Sequence, residues 1–204
     1  GRIEYHPEKG YNLVTDSTGG TTTYRYTPEQ LITAEIDPLG NETRHSYTDY
    51  MEPYRTTDPE GGVTTYGYDE RGNQSEVTDA LGYSWSYAYD KVDRMTTVTD
   101  PEEKVTGILY DQVGNVVSIK RPGERTTAYA YDGNYNTTAV TDPKGYVYNY
   151  GYDKDDRLTL TTDPLEQTTG YTYDAVNRIT TYRDKMGLTE SYLYDAHGNV
   201  LEKT

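Results

Sequence analysis

The feature that most limits what this chain can fold into is a period. Tyrosine recurs every 21 residues without insertion or deletion, at Tyr5, Tyr26, Tyr47, Tyr68, Tyr89, Tyr110, Tyr131, Tyr152, Tyr173 and Tyr194. A period of this length makes a protein a row of small units, each able to bury its apolar face only against its neighbours. Aspartate follows the tyrosine in the last seven copies, as Asp69, Asp90, Asp111, Asp132, Asp153, Asp174 and Asp195, whereas the first three have His6, Thr27 and Thr48.

A second landmark lies eleven residues after each tyrosine, where Asp16, Asp37, Asp58, Asp79, Asp100, Asp142, Asp163 and Asp184 recur and Arg121 is the exception. Proline follows in six copies, as Pro38, Pro59, Pro101, Pro122, Pro143 and Pro164. Three residues after the aspartate position stands glycine in six copies, Gly19, Gly40, Gly61, Gly82, Gly145 and Gly187. Asp, Pro and Gly at positions one, two and four match a type I turn. Glycine at the fourth position can take positive φ and form the bulge that fits such a turn to twisted strands. The Tyr-Asp end has the same chemistry without proline, intact at Asp69 to Gly72, Asp111 to Gly114 and Asp195 to Gly198. The spacing therefore predicts two turns per repeat, with the first turn of the three N-terminal copies unassigned.

Two turns in 21 residues leave segments of strand length. The second segment, T-x-Y-x-Y, alternates strictly. Tyr24, Tyr66, Tyr87, Tyr129, Tyr150, Tyr171 and Tyr192 sit two residues before the repeat tyrosine, on the same face of a strand. The opposite face carries Thr65, Gly67, Ser86, Ala88, Ala128 and Ala130. The first segment mixes two apolar phases: Ile32, Val116, Leu158, Ile179 and Val200, and, three residues further into the repeat, Val14, Val77, Val98, Ile119 and Val140. Either a bulge shifts the parity or both faces are partly covered. The predicted class is all-β: a long antiparallel meander of about 20 short strands, one hairpin per repeat, coiling into a spiral sheet or part of a hollow shell.

Composition alone would mislead. Leu, Ile and Val total 30 of 204 residues, there is no Phe, and the net charge is -15, a combination typical of disordered chains. An unbroken register through ten copies overrules it. The missing apolar mass is supplied by 25 tyrosines, which bury ring area while the hydroxyl stays wet or bonded. Fifteen of the 34 acidic residues occupy the two turn columns, so much of the acidity is turn chemistry. It argues against nucleic acid, which needs clustered Lys and Arg. The lack of cysteine excludes disulfides and thiolate metal sites and is in keeping with a bacterial source. No secretory signal and no apolar run of membrane-spanning length is present.

The motifs Y-D-x-x-G-N at 68 to 73, Y-D-x-V-G-N at 110 to 115, D-R-L-T and T-T-D-P within 156 to 164, and T-T-D-P-x-G at 56 to 61 resemble the YD repeats of the Rhs family. That family includes bacterial Rhs and wall-associated toxins, the cocoon subunits of insecticidal toxin complexes, and teneurins. The resemblance covers the whole chain and departs from the pattern at the aspartate of the first three copies. It implies a shell of spiralling β-sheet that encloses a C-terminal toxin, or an extracellular scaffold, and a secreted or cell-surface location. The self-cleaving aspartyl-protease-like core of Rhs toxins is not found among the Asp-Pro pairs here, all of which sit at repeat turns. Residues 1–204 are expected to be a single array of ten repeats, partial at both ends, excerpted from a longer protein.

No catalytic, cofactor-binding or metal-binding residue is assigned. Asp155 with Asp156, and Glu102 with Glu103, lie beside turns, where a carboxyl lacks the desolvated pocket that acid-base work requires. His6, His45 and His197 are far apart and form no ligand pair. Calcium needs six to eight converging oxygens, while these aspartates fall singly at two phases and are explained by turn capping. Trp85 replaces the usual threonine of its strand and is read as local packing. Asn41, Asn73 and Asn136 head glycosylation sequons, relevant only in a secreted eukaryotic parent. The expected partners are neighbouring repeats and an enclosed toxin domain. A second reading, a carbohydrate-binding or adhesion module, rests on the aromatic repeats of choline- and glucan-binding proteins, whose Trp-based turns this chain lacks. The residues carried forward are the repeat signature, Tyr68 to Gly198 in its seven aspartate-bearing copies, and the Asp-Pro turns at 37, 58, 100, 142 and 163 with Gly40, Gly61 and Gly145.

Overall fold

The computed structural model describes residues 1–204, and regular structure is almost entirely strand. The chain divides into two compact units, 1–105 and 106–204. The first holds β1 (Arg2–His6), β2 (Tyr11–Thr15), β3 (Thr21–Tyr26), β4 (Ile32–Ile36), β5 (Glu42–Tyr47), β6 (Pro53–Thr57), β7 (Val63–Tyr68), β8 (Gln74–Thr78), β9 (Ser84–Tyr89) and β10 (Met95–Thr99). The second holds β11 (Val105–Tyr110), β12 (Val116–Arg121), β13 (Arg125–Tyr131), β14 (Thr137–Thr141), β15 (Val147–Tyr152), β16 (Leu158–Thr162), β17 (Thr168–Tyr173), β18 (Ile179–Arg183), β19 (Thr189–Tyr194) and β20 (Val200–Lys203). Within each unit every strand pairs antiparallel with the next in sequence, as a meander. The one helical element is a 3-10 turn at Pro7–Lys9, in the copy where His6 replaces the aspartate and proline follows it.

The parity question has a definite answer: a bulge. In β7–β8, Tyr68 pairs with Gln74 but Gly67 pairs with Glu76, leaving Ser75 as an extra residue. The same shift leaves Thr159 extra opposite Gly151 and Tyr152, and Thr180 extra opposite Thr172 and Tyr173. It recurs in each hairpin closed by a repeat tyrosine from Tyr26 to Tyr194. One inserted residue flips all later side chains to the other face. The two apolar phases therefore end on one face, opposite successive tyrosines: Tyr152 faces Leu158, Tyr66 faces Val77, Tyr87 faces Val98 and Tyr129 faces Val140. The extra residue is often threonine, and its hydroxyl is used: Thr159 Oγ1 donates to the Gly151 carbonyl at 3.1 Å and Thr96 Oγ1 to that of Ala88 at 3.2 Å.

Tyrosine supplies a half-buried stripe and not a sealed core. Ala34 is the one buried hydrophobic side chain, and Thr127 and Thr169 are the buried polar ones. With so little apolar mass between layers, hydrogen bonds that tie strand to strand carry much of the specification.

Candidate functional site

The two turn columns are the places where polar side chains gather, so the site is built from them. At the Asp-Pro rim, Gly145 N–H donates to the Asp142 carbonyl and Asp142 N–H to the Tyr146 carbonyl, both at 2.9 Å. Asp142 Oδ1 accepts the backbone N–H of Lys144 at 2.8 Å and of Tyr146 at 2.9 Å. One carboxylate thus holds the whole bend, and Gly145 completes it at φ 84°. Asp37, Asp100 and Asp163 cap their turns in the same way, and Asp58 accepts the N–H of Gly62 at 2.6 Å. Where Arg121 replaces aspartate the turn changes type. β12 runs on to Arg121, which pairs with Arg125 across Pro122-Gly123-Glu124, and Gly123 and Glu124 both take positive φ, 79° and 60°. Pro then Gly is the order that a type II turn requires.

At the Tyr-Asp rim the same capping is joined by bonds that leave the repeat. Asp69 Oδ1 accepts Arg71 and Asn73 N–H, each at 2.9 Å. In the N-terminal copies Thr27 and Thr48 hold the turn with a hydroxyl, Thr48 Oγ1 accepting the N–H of Tyr50 and of Glu52 at 3.2 Å. The first turns left open by the sequence are therefore ordinary ones at 27 and 48, and a 3-10 turn at 7 to 9.

The tyrosine hydroxyl is the first link between repeats. Tyr152 donates to the Thr137 carbonyl at 3.0 Å, Tyr173 to that of Leu158 at 2.7 Å and Tyr194 to that of Ile179 at 2.8 Å. Tyr47, Tyr68, Tyr89 and Tyr131 do the same, always to the residue fifteen positions earlier. The acceptor is in each case the residue just before the bulge. The ladder to the following strand begins only two residues beyond it: at Ala139 beyond Thr137, at Leu160 beyond Leu158 and at Thr181 beyond Ile179. The phenol thus fills a gap where the bulge parts the strands and the carbonyl lacks a ladder partner. Partial removal from water raises the pKa of Tyr47, Tyr68, Tyr89, Tyr131, Tyr152 and Tyr173, so each stays a donor at neutral pH.

The second link is a column to which the sequence assigns no role, five residues after the tyrosine. Arg157 Nε donates to its own Asp153 Oδ2 at 2.8 Å, while Nη1 reaches the Asp174 carbonyl at 2.9 Å and Asn177 Oδ1 at 3.0 Å in the next repeat. Its guanidinium lies over the Tyr173 ring, 5.0 Å from the centroid. Arg178 repeats the pattern with Asp174, the Asp195 carbonyl and the Tyr194 ring at 4.7 Å. Asn takes the position elsewhere: Asn73 donates to Asp69 at 3.1 Å and to Asp93 of the next repeat at 2.7 Å, and Asn136 likewise to Asp132 and Asp156. Side-chain hydrogen bonds from Asn41, Asn73, Arg157 and Asn199 hold Asp37, Asp69, Asp153 and Asp195 below the usual carboxylate range. The sequon amides of Asn41, Asn73 and Asn136 are all engaged by carboxylates.

No three of the His, Asp and Glu side chains come together as a metal-holding group. Asp155 is used in the turn, its N–H on Asp153 Oδ1 and its carboxylate near Arg157, and Glu102 pairs with Lys104. No helix is long and apolar enough to cross a membrane. The sequence pattern that defines the family described as RHS Repeat matches residues 55–82, 69–105, 110–147 and 152–189, more than half of the chain. The chain belongs to the RHS repeat family. No curated protein matches it.

Among solved structures, TcdB2-TccC3 without its hypervariable C-terminal region is 16% identical, with 95% of this chain and 14% of that one covered and a TM-score of 0.46. The Photorhabdus luminescens Tc holotoxin pore is 15% identical, covering 100% and 16%, with a TM-score of 0.32. A porin-like protein from Bacteroides uniformis is 14% identical, covering 99% and 92%, with a TM-score of 0.28. The RHS repeats described here span less than a fifth of the toxin chains' length.

Proposed function

We propose that residues 1–204 are one structural, non-enzymatic array within a longer protein, a segment of an Rhs-type β-shell that encapsulates or displays a C-terminal toxin or effector domain. In this reading the Tyr-Asp and Asp-Pro residues are structural signature positions, and the parent is secreted or at the surface of a bacterium. The observation that carries it is the use to which the side chains are put. The tyrosine hydroxyls, turn carboxylates and the Arg and Asn column are spent on the sheet itself, each repeat bonded to its neighbours. Such a lattice can be extended repeat by repeat into a wall without a centre. Membership of the RHS repeat family supports the reading. Electron microscopy of the folded parent protein tests it: a closed β-walled cavity holding the C-terminal domain is expected, and a compact globule would reject it.

A further inference from the structure

We propose that the Asp-Pro rim of the second unit docks on an anionic lipid surface, with Leu165, Met186 and Leu188 entering the headgroup boundary and Lys144 and Arg183 meeting lipid phosphates. The inference does not depend on the shell. It begins with the charge of the bends. Residues ten to fifteen after each repeat tyrosine form the Asp-Pro bend and its shoulders. In the five bends of the first unit, from 15–20 to 99–104, they carry eight carboxylates and one cation, Lys104. In the four bends of the second unit, from 120–125 to 183–188, they carry five carboxylates and six cations. In a chain of net charge -15 the sign of the rim reverses.

Three of those five carboxylates, Asp142, Asp163 and Asp184, are turned into their own bends, each Oδ1 accepting two backbone N–H groups. The cations are freer. Lys120 pairs with Glu124 and Lys185 with Asp163, both at 2.6 Å, while Lys144 and Arg183 stand in no ion pair. Arg121 and Arg125 bond only neutral oxygens, Thr127 Oγ1 at 3.5 Å and the Pro122 carbonyl at 3.0 Å.

The same bends carry exposed apolar side chains. Leu165 stands 76% and Met186 89% exposed, and Tyr146 and Leu188 are exposed beside them. They fall in three consecutive bends, β14 to β15, β16 to β17 and β18 to β19, which are two strands apart and so about 10 Å from one to the next. Side chains this exposed line no groove, and a partner that meets three tips at once has to present a surface. Charge then selects the surface: an apolar row among unpaired Lys and Arg fits a layer with hydrocarbon inside and phosphate outside. Tyr146, with an apolar ring and a polar hydroxyl, suits the boundary between the two. Leu81 is as exposed, at 82%, but it stands among the acidic bends of the first unit, which an anionic surface repels.

The array itself supplies mild variants, because the place of Lys144, Leu165 and Met186 is glutamate at Glu60 and Glu102, and the place of Arg183 is threonine in six copies. Co-sedimentation of the 204-residue chain with vesicles reads the binding, using phosphatidylcholine alone or with about 30% phosphatidylglycerol, in about 0.1 M salt. Capture by the anionic vesicles alone is expected, and its loss in about 1 M salt. Lys144→Glu combined with Arg183→Thr should weaken it about tenfold or more, since each cation near such a surface counts about fivefold. Met186→Glu should weaken it as well, Leu165→Glu repeats that test at a second bend, and Leu81→Glu should change nothing, all with unaltered circular-dichroism melts. No capture by the anionic vesicles overturns the proposal. So does equal capture by phosphatidylcholine alone, capture that survives the double variant or both glutamates at the tips, or binding to soluble inorganic polyphosphate as tight as to the vesicles, which would leave the apolar tips without a role.

Discussion

Tyr152→Phe isolates what the phenol contributes, because the ring remains and only its bond to the Thr137 carbonyl, 3.0 Å long, is removed. A net hydrogen bond is worth about 1 kcal/mol, and a carbonyl left without any partner adds about 1 to 3 kcal/mol when fully buried. Thr137 is only half-buried, so water can reach the orphaned oxygen and the second contribution shrinks. The expected cost is about 1 kcal/mol, at most about 2. Tyr150→Phe is the control: its ring lies on the same strand and face, but its hydroxyl has no protein acceptor, and its cost is expected below about 0.5 kcal/mol, as for a side chain that loses no bond. Urea unfolding followed by circular dichroism measures both, with the slope against urea unchanged between variants. Equal costs at the two positions, or a neutral Tyr152→Phe, would refute the claim that the hydroxyl repairs the bulge.

Gly145 sits at φ 84° with nothing within 4 Å of an added Cβ, so Gly145→Val should cost more than about 1 kcal/mol from the backbone alone; a thermal melt equal to wild type would contradict the turn. The reverse change, Glu166→Gly, relaxes a residue held at φ 62° in the equivalent turn position and should raise the melting temperature. Arg157→Ala should lower it by cutting the links to Asp174, Asn177 and the Tyr173 ring, and Arg157→Lys should fail to restore it, since an ammonium lacks the planar fork that spans two repeats. Acid should destabilise the fold. The turn aspartates have folded pKa values below their unfolded ones, so their contribution is complete above about pH 4 and is lost as pH falls through the folded values. Base should do likewise: the repeat tyrosines have raised pKa values, the unfolded chain gives up these protons first, and stability should fall as pH rises past about 10.

The strands and turns were legible because their information is local: Asp, Pro and Gly at fixed offsets specify a bend, and T-x-Y-x-Y specifies a strand face. The links between repeats were not. Arg157 finds its partners 17 and 20 residues away, and the acceptor of Tyr152 is a backbone carbonyl, which leaves no trace in residue identity. Two signals were nevertheless present. The Val77 and Val98 column lies nine residues after the tyrosine, an odd offset that only a bulge reconciles with one buried face. And a chain with 25 tyrosines and no phenylalanine is using the hydroxyl, since a purely apolar stripe would accept either ring.

These links make the two rims unequal. At the Tyr-Asp rim a side chain from one repeat holds the turn of the next, as Arg157, Arg178, Asn73 and Asn136 do, so a change there disturbs two repeats together. At the Asp-Pro rim the carboxylate closes mainly on its own bend, with the Lys185 to Asp163 bond crossing between repeats. A turn that depends on no neighbour can be replaced whole. The type II turn at Pro122 and Gly123, in the one copy with Arg121, is such a replacement, and the strands on either side keep their register. The aromatic pairs at Tyr83 with Trp85 and at Tyr146 with Tyr148 lie at this rim as well. Variation is cheapest to place where the scaffold's own bonds are fewest, which is why the departures from the repeat gather on the Asp-Pro side while the Tyr-Asp side keeps its pattern.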